Sequence, residues 1–350
     1  MPSAEQNFER PWRILLVGSG GVGTMASYAL ETGGKAEVTS VLRSTYDMVT
    51  KQGFSIDSVD HGRDIHGFRP SHITRTVPDM STSDSKPFDY IIVATKNIPD
   101  IPPTVSDLIA AAVTPGVTSI VLLQNGLNIE LPLVERFPTN IILSGVSLIG
   151  AAEIDGSIKH DEPDFTRLGV FPNQTVDPEV AKASAMHLID AYNAGGKVEW
   201  IFDEDVSSSR WRKLLYNASY NVVAALTGID VIRMRMSQFM IDDLIYPLIR
   251  EIRAIAMAAG VVLPKDLELF FIKCDTHEGF FMPSMGQDCR KGNAMEIDNI
   301  VGAPLKEADR LGVPAPTLRT CYHLLRSLQL KVKENKGLWT ARFEAKNPYA

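Results

Sequence analysis

Three polar side chains, Lys213, Asn217 and Asn221, recur at four-residue intervals within Trp211-Arg212-Lys213-Leu214-Leu215-Tyr216-Asn217-Ala218-Ser219-Tyr220-Asn221. On a helix that interval lines all three along one face. Asparagine is a poor residue for a helix interior because its side chain competes for backbone hydrogen bonds. Two of them in line with a lysine therefore need a reason. A polar seam between domains is one; a stripe that holds a polar substrate is the other. A second polar stretch runs from Pro283 through Ser284 to Glu296 and enters a further helical segment. There Asn293, three residues before Glu296, also fits a capping box.

A different chemistry is written nearer the start. Ile14-Leu15-Leu16-Val17 suits a buried parallel strand, and it breaks into Gly18-Ser19-Gly20-Gly21-Val22-Gly23 before the helical Thr24 to Leu30. The glycines at 18, 20 and 23 have the G-x-G-x-x-G spacing. Gly18 permits a sharp turn, Gly20 lets backbone approach a pyrophosphate, and Gly23 lets helix and strand pack closely. Free amides and the helix dipole would then hold the phosphates.

The second strand, about 36–43, ends on Arg43-Ser44, where an NAD-binding protein usually carries an acid for the ribose 2′-hydroxyl. A guanidinium there suits the 2′-phosphate of NADP through charge-assisted hydrogen bonds. Two later strands, 89–94 and 119–123, also end in polar residues, in Thr95-Lys96-Asn97 and Gln124-Asn125-Gly126. In open α/β sheets ligands bind beyond the carboxyl ends of strands, so Lys96 and Asn125 become candidates for the same site.

The elements that must position these groups fall into two parts. Strands and helices alternate up to about residue 205, with short strands expected over 54–77, a polar loop over 81–87, a helix in 99–112 after its prolines, and a hairpin over 150–170. Beyond that the pattern is helical, over 207–226, 237–259, 265–274, 293–311 and 316–333. The expected division is 1–205 for dinucleotide binding and 206–350 for substrate and catalysis. At 350 residues with 45% apolar composition, the chain is long enough for two such cores. Its net charge of −7 disfavours nucleic acid or an anionic membrane as partner. No apolar run approaches the roughly 18 residues of a membrane span. Met1 to Arg10 shows neither a secretory nor a transit pattern, and the three cysteines have no C-x-x-C spacing. Both fit the cytoplasm. The seven histidines are scattered, so no metal site is expected.

Taken together, the motifs resemble the ketopantoate reductase (2-dehydropantoate 2-reductase) family across nearly the whole chain. The resemblance rests on the Gly18–Gly23 loop, Val93-Ala94-Thr95-Lys96, Leu123-Gln124-Asn125-Gly126, the Lys213/Asn217/Asn221 stripe, and Ser284 ahead of Glu296. It implies an α/β fold: an N-terminal Rossmann-type domain, then an all-helical domain like that of 6-phosphogluconate dehydrogenase. It further implies that Lys213 is the catalytic lysine and Glu296 the active-site glutamate. By the same resemblance Asn217, Asn221 and Ser284 contact substrate, while Lys96 and Asn125 lie near nicotinamide and substrate. The implied reaction is NADPH-dependent reduction of ketopantoate to pantoate, in pantothenate biosynthesis, and a homodimer is compatible with it. A relative that reduces another 2-oxo acid or ketone and a non-catalytic dinucleotide sensor are the alternatives. The chain departs from the family in carrying Val222 where a proline is typical, and in having no asparagine between Asn221 and Asn293.

Overall fold

In the computed structural model the described residues are 10–81, 86–276 and 279–349. The readings made for Met1 to Glu9, for residues 82–85 of the polar loop and for His277 lie outside them. The described chain divides into two compact units. The first comprises residues up to 97, 103–124 and 129–206; the second comprises 98–102, 125–128 and 207 onward. Two short segments of the earlier chain thus belong to the later unit.

Strands β1 (Trp12–Val17), β2 (Ala36–Val41), β3 (Phe54–Ser58), β4 (Gly62–Phe68), β5 (His72–Thr74) and β6 (Tyr90–Val93) open the first unit. Then come β7 (Ser119–Leu122), β8 (Ile142–Ser147), β9 (Gly150–Ile154), β10 (Ser157–Glu162), β11 (Phe165–Val170) and β12 (Glu199–Phe202). The large sheet has the order β12-β11-β8-β7-β6-β1-β2-β5. From β5 to β8 every neighbour is parallel; β11 runs antiparallel to β8. The six parallel strands have the doubly wound order of dinucleotide-binding sheets, with the winding reversing between β1 and β6.

Alternation along a strand sends successive side chains to opposite faces. Ile14 and Leu16 accordingly join one core with helices α1 (Gly21–Thr32) and α5 (Pro178–Tyr192). Leu15 and Val17 join the other core with α3 (Val105–Ile109) and α4 (Leu131–Arg136). Burial on both faces is why β1 reads as an unbroken apolar run. The smaller sheet, β4-β3-β10-β9, packs on α1. The β9–β10 hairpin expected over 150–170 is present, whereas β11 pairs with β8. The helix expected after the prolines of 99–112 begins at Val105 and continues as a tighter turn to Ala112. Pro102 and Pro103 cannot donate backbone hydrogen bonds, and Thr104 caps the start by accepting from the amide of Asp107.

The second unit is helical: α6 (Val206–Asn217), α7 (Tyr220–Thr227), α8 (Val231–Met236), α9 (Tyr246–Ala258) and α10 (Asp266–Lys273). It closes with α11 (Ser284–Arg290), α12 (Ala303–Leu311) and α13 (Pro316–Asn335). Val222, Leu248, Ile252 and Leu318 lie at the centre of its core. Two of the long helical runs read from the sequence are interrupted by wide turns, at Ile241–Ile245 and Asp298–Gly302. Each wide turn leads directly into a helix whose second residue is proline, Pro247 or Pro304. A proline has no amide for the ordinary i−4 bond, which favours a local change of helix pitch.

The expected 207–226 helix is also two helices. The Ser219 hydroxyl donates back to the carbonyls of Leu215 and Tyr216. The chain tightens there, with the Ser219 amide bonding the Tyr216 carbonyl at 3.1 Å. Back-bonding by serine competes with regular helix and bends it. Lys213 and Asn217 therefore share α6, whereas Asn221 sits on α7. The three do not form one continuous stripe.

Candidate active site

The first unit presents a cradle built from backbone. Gly18 has φ +108°, and a Cβ there would lie 2.5 Å from the amide nitrogen of Thr95, just after β6. A Cβ on Gly23 would lie 1.7 Å from the carbonyl oxygen of Gly18. These two glycines are required by the protein's own close packing. Gly20 is different, because a Cβ there would meet no protein atom within 4 Å. It is the N-cap of α1, whose first turn carries Gly21, Val22 and Gly23 and no acidic side chain. Ser19 points its hydroxyl to the carbonyl of Val41 at 3.4 Å. An open N-cap glycine ahead of unpaired helix amides fits a pyrophosphate, so the loop is suited to a dinucleotide.

Arg43 is exposed, two residues beyond the end of β2. Beside it, the Leu42 amide bonds the carbonyl of Thr74 at 2.8 Å. The next residue, Arg75, lies over the ring of Tyr46 and pairs with Asp47. Arg75 was not among the expected site residues. Lys96 is exposed just after β6. Gln124, also unforeseen, is buried and donates to the carbonyl of Thr95 at 2.7 Å. It thereby ties the carboxyl ends of β6 and β7 together.

The second unit presents a cluster built from side chains. Asn125 accepts from Lys213 Nζ through Oδ1 at 2.9 Å and donates from Nδ2 to Glu296 Oε2 at 3.3 Å. An asparagine side chain has one accepting and one donating end. Here those ends select an amine on one side and a carboxylate on the other. Glu296 is 4% exposed, and it lies in the irregular segment just ahead of the wide turn. Asn293 and Glu296 both precede the helical turn, and the Asn293 amide bonds the Asp288 carbonyl at 2.8 Å, which is not the arrangement of a capping box. Asn217 and Asn221 are both buried, and Ser284 is the half-buried first residue of α11. Arg210, three residues before Lys213 on α6, is buried and donates to the carbonyl of Gly126 at 3.0 Å. Its place on the Lys213 face was a signal open to sequence reading.

A doubly wound sheet with an open glycine loop and a helical unit carrying a lysine–asparagine–glutamate cluster fit the class of two-part oxidoreductases. Residues 14–173 match the model of the ketopantoate reductase PanE/ApbA family, and residues 205–329 match that of its C-terminal domain. This chain belongs to the ketopantoate reductase family. An uncharacterized protein of Saccharomyces cerevisiae is 38% identical, over 93% of this chain and 96% of its own length. The 2-dehydropantoate 2-reductase of Nostoc is 25% identical, over 91% of this chain and 95% of its own length. The crystal structure of 2-dehydropantoate 2-reductase from Methylococcus capsulatus superposes with a TM-score of 0.76 at 28% identity, covering 91% of this chain and 97% of that one. The family is one of oxidoreductases. No helix among the described residues is long and apolar enough to cross a membrane.

Proposed function

We propose that this chain reduces 2-dehydropantoate to pantoate with NADPH, with Lys213 as general acid. The observation that carries the reading is Asn125, whose side chain bonds both Lys213 and Glu296. When bound, the nicotinamide supplies the hydride to the keto carbon. Negative charge then grows on the keto oxygen, and the Lys213 ammonium stabilises it and delivers the proton that completes the alcohol. The Glu296 carboxylate accepts a hydrogen bond from a substrate hydroxyl. Asn217, Asn221 and Ser284 bind the substrate's remaining polar groups. Arg43 reads the 2′-phosphate, and Lys96 lies toward the nicotinamide. The division of labour is a nucleotide-binding part up to about residue 205 and a substrate part after it.

The free cysteines at 274, 289 and 321 suit a reducing cytosol, where this reaction would supply pantothenate biosynthesis. Exposed Met236 and Phe239 on the second unit offer apolar surface for a homodimer, which sedimentation would reveal. The test of function is NADPH oxidation with 2-dehydropantoate and a panel of other 2-oxo acids and ketones. A specificity constant for 2-dehydropantoate well above the rest supports the reading. The absence of any asparagine between 221 and 293 favours a second reading, a different 2-oxo acid, and a higher constant for another member of the panel would establish it. Binding of NADPH with no oxidation by any of them would make the protein a dinucleotide sensor.

A further inference from the structure

Arg210 is an arginine 5% exposed, and a buried guanidinium is costly unless its donors are satisfied. One donor goes to the Gly126 carbonyl at 3.0 Å. That carbonyl belongs to a short strap, 125–128, which the second unit holds at every residue. The Leu127 amide bonds the Asn299 carbonyl at 2.9 Å, and Asn128 Nδ2 bonds Glu307 Oε1 at 3.1 Å. Gly126 is pinched at φ +112°, where a Cβ would lie 2.5 Å from that of Asn299. Residues 126–128 are thus fixed by their surroundings, and Asn125 is the strap's end that reaches Lys213 and Glu296.

We propose that Arg210 is a positioning residue for catalysis: by gripping the Gly126 carbonyl it sets the Asn125 side chain between Lys213 and Glu296. One turn of α6 then fixes both the lysine and the group that orients it, because positions three apart share a face. The proposal rests on the reductase reading above. Without Arg210 the Gly126–Leu127 peptide, one link beyond Asn125, loses a charged donor, and the Asn125 side-chain amide is free to rotate away from the amine. Displacement of this kind, short of direct contact with substrate, lowers turnover more than binding.

The experiment uses Arg210→Met and Arg210→Lys in the full chain, each with and without Asn125→Ala. Arg210→Met should lower kcat roughly 10- to 100-fold with the KM for NADPH unchanged. Arg210→Lys, which keeps a donor but not the planar fork, should recover part of that loss. In the Asn125→Ala background Arg210→Met should add little, because the group it sets is already gone. Equal losses in both backgrounds would overturn the proposal and leave Arg210 a packing residue. A separate readout needs no turnover: the side-chain amide resonances of Asn125 should shift in Arg210→Met while the melting temperature stays near that of the parent. Unchanged resonances would sink the proposal even in an active enzyme, whereas a parent that oxidises NADPH with no oxo acid would sink only the reductase reading.

Discussion

The glycine loop and the lysine cluster are opposite solutions to building a site. The loop lies within Gly18–Gly23 and works through backbone, so what matters is the side chains it lacks. The cluster works through functional groups brought from far apart: Lys213 is 88 residues from Asn125, and Glu296 is 171 residues from it. Backbone sites must be contiguous, because successive amides have to converge on one anion. Side-chain sites need only a fold that brings their members together. The loop should therefore fail when atoms are added, and the cluster when functional groups are removed.

The largest effect is expected in the cluster. Lys213→Ala should lower kcat by roughly 10²-fold or more, the scale for losing a general acid. NADPH affinity should stay near the parent value, which fluorescence titration beside steady-state kinetics would check. An unimpaired kcat would remove Lys213 from the chemistry and make the cluster a structural lock. Next comes Arg43→Ala on the nucleotide side. Losing charge-assisted bonds to a phosphate should weaken NADPH binding about 10- to 100-fold, with NADH binding nearly unaffected. Equal losses for the two cofactors would mean that Arg43 does not read the 2′-phosphate.

Gly20→Ala should have a smaller effect of more diagnostic kind. The added methyl meets no protein atom, and the residue has the extended backbone of an ordinary N-cap, φ −76° and ψ −168°. The melting temperature should therefore hold while NADPH affinity drops a few-fold, since the methyl enters the space the pyrophosphate would use. Gly18→Ala should lower both, because the protein itself needs that position bare. If both substitutions damaged stability alone, the loop would be a structural turn.

The same contrast explains what was legible in the sequence. Strand β1, the glycine loop and helix α1 form one continuous text of spacing, and the structure has the three in that order, with the strand and helix each extending two or three residues beyond the expected bounds. The doubly wound order also follows from alternating strands and helices. In the second unit, Lys213 stands out by residue type and spacing, and Glu296 through the family resemblance. That Asn125 joins them could not be read there, because nothing local to residue 125 signals that its strap belongs to the helical unit. Helical periodicity also ran straight through Ser219, Pro247 and Pro304, where hydrogen-bond competition and a missing amide change the path. Interruptions of that kind depend on single atoms and leave the apolar spacing intact.

The smallest expected effect separates the units by pH. His61 packs edge-on against Tyr28 of α1 at 5.0 Å, and its Nε2 is buried without a hydrogen-bond partner. Burial pushes its pKa below the ordinary 6.5, and His160 and Lys197 act in the same direction, against the opposing pull of Asp60. The unfolded chain thus takes up this proton at a higher pH than the folded one. Its contribution to stability is complete above about 6.5 and is lost as pH falls from there toward the lowered folded value. His61→Phe keeps an aromatic ring against Tyr28 and abolishes the titration. The melting temperature of the parent should consequently fall faster than that of His61→Phe on acidification below pH ~6.5, and the gap should be absent at pH ~8. The damage should register in the nucleotide cradle, since Tyr28 lies on the helix that carries it. Parallel melting curves across that range would show that protonating His61 costs the fold nothing, and the smaller sheet would then have no part in keeping α1 in place against acid.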